Sequence, residues 1–159
     1  MTDDHHADRV WKLIEKIGFC MLSTHDGEDI RARPMAAHVD RDEHAIYFLT
    51  DADSHKDEDV KGNPNVGLAF ADASDQKYVS LTGHAEVSND RQKITELWST
   101  PAKAWWESPN DPSIRVLKVT PKDAQYWDSP GTLVSYVKML TAVMTDSRPD
   151  IGNSAKVNL

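Results

Sequence analysis

The sequence predicts a mainly β domain with helices at its periphery, arranged as a six-stranded antiparallel barrel. Three observations carry this. Short apolar runs recur between turn-forming residues, at 19–24, 45–50 and 66–71. An Asp-Gly pair, Asp26-Gly27, follows the first run and marks a hairpin. The stretch 78–87 alternates strictly, with Val79, Leu81, Ala85 and Val87 on one face and Ser80, Thr82, His84 and Glu86 on the other. No βαβ alternation with a Gly-rich loop appears, which argues against a Rossmann dinucleotide site.

The elements follow in order. Val10, Leu13, Ile14 and Ile17 recur at i, i+3, i+4 and i+7, one stripe of an amphipathic helix that Gly18 ends. Residues 19–24 form the first strand, and 30–39 return as the second. Pro34 lacks an N–H, so the second strand needs a bulge or an unpaired edge there. Asp40-Arg41-Asp42-Glu43 turns the chain into a third strand over 45–50. Its two faces are both apolar (Tyr47 and Leu49 against Ile46 and Phe48), which predicts cover on both sides.

A helix is expected over 54–62, then a strand over 66–71. One face of that strand carries Val66, Leu68 and Phe70, the other only Gly67, Ala69 and Ala71. Such a small-residue face predicts something packed close to the backbone. Asp90 suits the cap of a helix reaching about Trp98, and Thr100-Pro101 restarts a short one before Trp105 and Trp106. Ile114, Val116 and Val119 begin a strand that continues past Pro121 to Tyr126-Trp127. Leu133, Tyr136, Val137, Leu140, Val143 and Met144 keep helical spacing. Residues 1–8 and 146–159 read as polar tails, the second with only Ile151 and Val157 as anchors, and His5 and His6 as disordered.

A chain of 159 residues fits one domain, large enough to bury roughly two-thirds of its unfolded surface. The formal charge of −8, with Lys and Arg scattered, argues against a nucleic-acid backbone as the main partner. No apolar run is long enough to span a bilayer, and the acidic start has no signal-peptide character. The single cysteine, Cys20, sits between Phe19 and Met21 as a buried thiol would, and agrees with a reducing cytoplasm. No Ser/His/Asp or Cys/His set has supporting context, and no metal site is expected.

The most informative stretch joins the third strand to the helix after it, Thr50-Asp51-Ala52-Asp53-Ser54-His55-Lys56. A helix N-terminus presents free N–H groups and the positive end of its dipole, which suits an anion such as phosphate. Ser54 can cap the helix or donate to a phosphate oxygen, and Lys56 adds a point charge. The plainer alternative is a capped surface helix with Asp57, Glu58 and Asp59 as its solvated face.

Upstream stands Arg31-Ala32-Arg33-Pro34-Met35, and with it the chain resembles the pyridoxamine 5'-phosphate oxidase-like flavoproteins, in particular their general-stress-protein branch. Tyr47-Phe48-Leu49-Thr50, Ser54-His55-Lys56, Asn63-Pro64-Asn65-Val66, Tyr78-Val79-Ser80-Leu81-Thr82-Gly83, the tryptophan pair before Asp111-Pro112, and Tyr126-Trp127-Asp128 carry the same resemblance. It implies a split β-barrel homodimer with FMN at the subunit interface. Arg33, Ser54 and Lys56 would hold the phosphate, with His55 beside them. Main-chain groups of Pro34, Met35 and Ala36 and of Phe48, Leu49 and Thr50 would line the flavin ring, and Trp105 or Trp106 would close its other side from the partner subunit.

Three departures stand out. The oxidase places an arginine where this chain has His55 and a lysine where it has His38, and its basic substrate-binding pattern near the C-terminus is missing. Pyridoxamine phosphate oxidation is therefore not expected. The functions the resemblance leaves are an FMN-dependent oxidoreductase of unknown substrate, a flavin carrier or sensor without turnover, a binder of a related cofactor such as the deazaflavin F420, or a structural dimer with a vestigial site.

Overall fold

The computed structural model describes residues 3–129, 132–145 and 153–159. Helix α1 (Asp3–Ile17) leads into the hairpin β1 (Phe19–His25) and β2 (Ile30–Ala36), then β3 (His38–Asp40) and β4 (Ala45–Asp51). Helix α2 (His55–Gly62) precedes β5 (Asn65–Asp72) and β6 (Lys77–Ser88). Helix α3 (Arg91–Leu97), a short 3-10 turn (Pro101–Ala104), β7 (Ile114–Asp128), α4 (Thr132–Thr145) and β8 (Asn153–Asn158) complete the order.

The strands form one antiparallel sheet in the order β2-β1-β5-β6-β7-β4-β3, with β8 on β7. Its two end strands are separated in sequence by Ala37 alone, whose N–H donates to Gly18 O at 2.8 Å and so extends the β1–β2 register by one residue. One bent strand thus belongs to both ends of the sheet and closes it, so the predicted six-stranded barrel is reached by counting β2 and β3 as one. The outer side of β2 lacks a strand partner among the described residues, which is where Pro34 can sit without breaking a ladder.

The barrel is filled by alternate residues of each strand. Leu22, Ile46, Phe48, Leu68, Phe70, Val79, Leu81, Val119 and Tyr126 are buried together, under a lid formed by Val10, Trp11, Leu13 and Ile14 of α1. A second cluster, Ala45, Tyr47, Ile94, Ile114 and Val116, sits on the other side of β4 and packs α3 there. This is why β4 is apolar on both faces. Strand β6 alternates as the sequence predicts, and keeps its alternation across the register shift at Thr82/Gly83. A Cβ on Gly83 would stand 2.6 Å from Val119 Cγ1 and 2.8 Å from Thr120 O, so the close crossing of β6 and β7 requires glycine.

One expectation fails. Both supposed tails carry structure in their described residues: α1 begins at Asp3, His6 Nδ1 lies 2.6 Å from the Tyr126 hydroxyl, and β8 pairs with β7 and buries Val157. Val157, with Ala155 and Leu159 packed on the core beside it and the backbone pairing, holds an edge strand where the apolar content looked too thin. Among the described residues nothing covers the small-residue face of β5 closely, since Ala69 and Ala71 are exposed and a Cβ on Gly67 would find Ser23 Cβ only at 3.8 Å. The helical spacing expected of α4 is borne out; among its described side chains Val137, Leu140, Val143 and Met144 are exposed and Ala142 is buried. The side chains of Leu133 and Tyr136, and Ile151, fall outside the described residues.

Candidate functional site

The bend at Ala37 opens a gap in the barrel wall. Strand β3 pairs with β4 only from Ala45 to Tyr47, so Phe48, Leu49 and Thr50 keep one side of their backbone free of a strand partner. Across the gap, Pro34, Met35 and Ala36 pair with β1 and leave their other side free. Two open strand edges thus flank a cavity of about 650 Å³.

Of the residues the sequence singled out, Arg33, Pro34, Met35, Ala36, Leu49, Thr50, Lys56, Trp105 and Trp106 line this cavity, joined by His38, Asp51 and Phe19. The other three do not. Phe48 is wholly buried and its side chain belongs to the core, leaving only its backbone near the gap. Ser54 makes no side-chain cap to α2; its Oγ lies 3.2 Å from Thr50 Oγ1. His55 is exposed and off the lining, because the first turn of α2 rotates it away from Lys56.

The cations at one end are held differently. Arg33 is the better tied: its Nη1 donates to Thr24 Oγ1 at 2.8 Å and to Leu22 O at 3.2 Å. Thr24 is buried, and its hydroxyl donates in turn to Asp59 Oδ2 at 3.1 Å, while Asp59 lies 4.0 Å from Arg33 Nη2. Burial lowers the Arg33 pKa and Asp59 opposes that, so the guanidinium stays charged. Lys56 is half-buried with no hydrogen bond or ion pair among the described residues. Burial pushes its ammonium below the ordinary lysine range; Asp57 resists the shift, Arg33 adds to it and Asp51 resists again.

Beneath this end, Thr50 Oγ1 donates to Asp57 Oδ1 at 2.7 Å, with both residues buried. The expected solvated acidic face of α2 is therefore confined to Glu58, since Asp57 and Asp59 turn inward to hydroxyls of β4 and β1. Neither contact had a signal in the sequence, because each depends on how α2 is laid against the barrel mouth.

His38 is half-buried on the lining, and burial lowers its pKa, so it enters the cavity as a neutral imidazole at pH 7. Trp105 and Trp106 lie on the cavity of their own chain. Trp105 is 80% exposed, whereas Trp106 packs on the cluster around Tyr47 and Ile94. The lining thus holds two neighbouring cations, two tryptophans and the main-chain donors and acceptors of two open strand edges. Such a site suits a long planar ligand with an anionic terminus. A half-buried ammonium without a partner is costly unless an anion completes it.

Fold and cavity together define a split antiparallel barrel with an anion-ready pocket at its seam. Residues 5–150 match the family described as pyridoxamine 5'-phosphate oxidase like, and the chain belongs to that family. General stress protein 26 of Bacillus subtilis (strain 168) is 31% identical over 85 residues, 49% of this chain and 58% of that protein, so the match spans little more than half of that relative. A crystal structure described as a general stress protein 26 from Jannaschia sp. CCS1 superposes with TM-score 0.81 at 28% identity, covering 98% of this chain and 99% of that one. The general stress FMN/FAD binding protein of Xanthomonas citri superposes with TM-score 0.68 at 26% identity, over 78% and 89% of the two chains.

Two further properties bear on function. No helix among the described residues is long and apolar enough to cross a membrane. Among them, too, no group of three or more His, Cys, Asp or Glu side chains could hold a metal ion.

Proposed function

We propose that this chain binds FMN at the barrel seam, as a cytoplasmic homodimer of the general-stress type, and serves as a flavin-dependent oxidoreductase. One observation carries the reading: Arg33 and an unpartnered, half-buried Lys56 stand together at one end of a cavity flanked by two open strand edges. The phosphate would lie between the two cations, each charge-assisted contact being worth about 1.5–3 kcal/mol. The free backbone of Pro34, Met35 and Ala36 and of Phe48, Leu49 and Thr50 would hydrogen-bond the ring without adding charge. Bound there, the flavin supplies the capacity to accept and pass on a hydride or single electrons. The Xanthomonas citri neighbour, which binds FMN/FAD by its description, lends support.

The homodimer rests on the outer face of the sheet. Phe19, Met21, Ile30, Tyr78 and Trp127 are exposed there, around the small residues of β5. This gives the uncovered small-residue face a role: it lets a second backbone approach closely. Phe19 is also on the cavity lining, so a partner seated on this face would border the ligand.

A flavin carrier or sensor is the second reading. On the lining only Arg33, His38, Asp51 and Lys56 titrate, and two of these are committed to the phosphate. The first experiment is the visible spectrum of the purified protein before and after excess FMN, with riboflavin, FAD and the deazaflavin F420 as competitors. A retained, shifted flavin spectrum at about one cofactor per chain supports the reading. A colourless protein that releases all added FMN defeats it. Reduction of the bound flavin by NADPH or NADH and reoxidation by an acceptor separates enzyme from carrier.

A further inference from the structure

The contacts of Arg33 assign a role to Thr24, a residue without any sequence signature. Thr24 is buried in β1, on the same side of the sheet as Leu22, while Arg33 stands opposite Leu22 across the β1–β2 ladder. The Thr24 hydroxyl uses its proton on Asp59 Oδ2 at 3.1 Å and accepts from Arg33 Nη1 at 2.8 Å. Nη1 spends its other proton on Leu22 O at 3.2 Å. Both protons of one guanidinium nitrogen are thereby committed, while the N–H groups of Nη2 and Nε have no hydrogen-bond partner among the described residues. Asp59 lies 4.0 Å from Nη2, close enough to favour the charge and too far to occupy the donor.

We propose that Thr24 is a positioning residue: its hydroxyl, tied down by Asp59, locks the Arg33 guanidinium so that its remaining donors meet the anionic terminus of the cavity ligand. This rests on the phosphate reading above. The polar link also joins β1, β2 and α2 at the barrel mouth, so the strand that carries Arg33 and the helix that carries Lys56 share one anchor. A guanidinium held by one edge loses less rotamer freedom when it binds an anion, which is what a planar fork offers over an ammonium. Such supporting contacts govern how well a binding group performs.

The test separates phosphate from ring. Riboflavin carries the ring without phosphate, so the ratio of riboflavin to FMN dissociation constants isolates the anionic end. Fluorescence titration of parent, Thr24→Val and Thr24→Ser gives that ratio. Thr24→Val keeps shape and removes the hydroxyl; it should weaken FMN about fivefold or more and leave riboflavin unchanged, the effect of loosening one charge-assisted contact. Thr24→Ser, which keeps the hydroxyl, should restore the parent ratio. An unchanged ratio in Thr24→Val overturns the proposal, and so does an equal loss for both ligands, which would mean general damage to the seam.

Arg33→Lys guards against a valine variant that does not fold. Lysine keeps the charge and loses the fork, so the ratio should fall; a lysine variant with the parent ratio overturns the positioning role. A parent protein that binds riboflavin as tightly as FMN would sink the phosphate reading, and this proposal with it. A parent that prefers FMN, with variants that match it, would sink the proposal alone.

Discussion

Lys56 should be a residue that binding needs and folding does not. Its ammonium is half-buried, beside Arg33, and without an ion pair among the described residues. Burial first of all lowers its pKa, against Asp57, with Arg33 adding to the shift and Asp51 opposing it. The sign follows directly. A lysine whose folded pKa is depressed is penalised in the folded state wherever it is charged, fully so below the folded pKa. The penalty fades as pH rises from the folded pKa toward the unfolded value of 10.5. Lys56→Met keeps the stem and removes the charge, so the flavin-free variant should melt at or above the parent temperature at pH 7, with the difference closing as pH approaches 10. The opposite holds with ligand. Losing one charge-assisted phosphate contact costs about 1.5–3 kcal/mol, at least a tenfold rise in Kd. At a free FMN concentration a hundred times the parent Kd, the parent gains about 2.7 kcal/mol and a tenfold weaker variant about 1.4. With about 2–4 °C per kcal/mol for a domain of this size, the FMN-induced rise in Tm should drop by roughly 3–5 °C. Calorimetric scans with and without FMN, at pH 7 and pH 10, read both effects. A variant that melts well below the parent without flavin, yet gains the parent's full rise with it, would refute the assignment.

Three other outcomes follow from the same geometry. Trp105→Ala should leave the flavin-free unfolding free energy within about 0.5 kcal/mol of the parent, as for other exposed sites, while Trp106→Ala, cut from the cluster around Tyr47 and Ile94, should cost about 2 kcal/mol or more; chemical denaturation compares the two. Burial pushes the Cys20 thiol up to about 12, so it should resist a thiol reagent at pH 8 in the folded protein and react within seconds in denaturant. Gly83→Ala would drive a methyl against Val119 and the Thr120 carbonyl and should cost about 2 kcal/mol or more, whereas Gly62→Ala meets nothing within 4 Å; their melting temperatures should differ accordingly.

What the sequence disclosed was what is local or periodic. The alternation of β6, the two-faced burial of β4 and the Asp90 cap, whose side chain accepts from the Lys93 N–H, all follow from spacing within a few residues. The gathering of Arg33 with Lys56 was legible only through resemblance, since nothing in the spacing of 23 residues brings β2 to α2. Contacts that depend on a third element were hidden. Asp57 and Asp59 look like a solvated helix face until Thr50 and Thr24 are placed against them. Val157 was too thin an anchor to announce a strand, because β8 is held as much by its backbone ladder with β7 as by its side chains. His55 was drawn into the site by its neighbours in sequence, though one step along a helix turns a side chain by about 100°.

The cavity and the fold share one cause. A barrel whose strands paired along their full length would leave no backbone groups for a ligand, and a sheet left open would expose a full edge to other chains. Here one strand bends at Ala37 and changes partner, from β1 to β4, so closure and opening occur within a few residues. Pro34 fits that arrangement: it falls on the side of β2 that pairing has abandoned and deprives the edge of one donor, which discourages another strand from docking there. The free groups that remain share the cavity lining with Arg33 on the bent strand and Lys56 on the helix that follows β4. Any change that lets β3 pair further along β4, past Tyr47, should therefore strengthen the sheet and close the site together, and stability and ligand capacity at this seam should move in opposite directions.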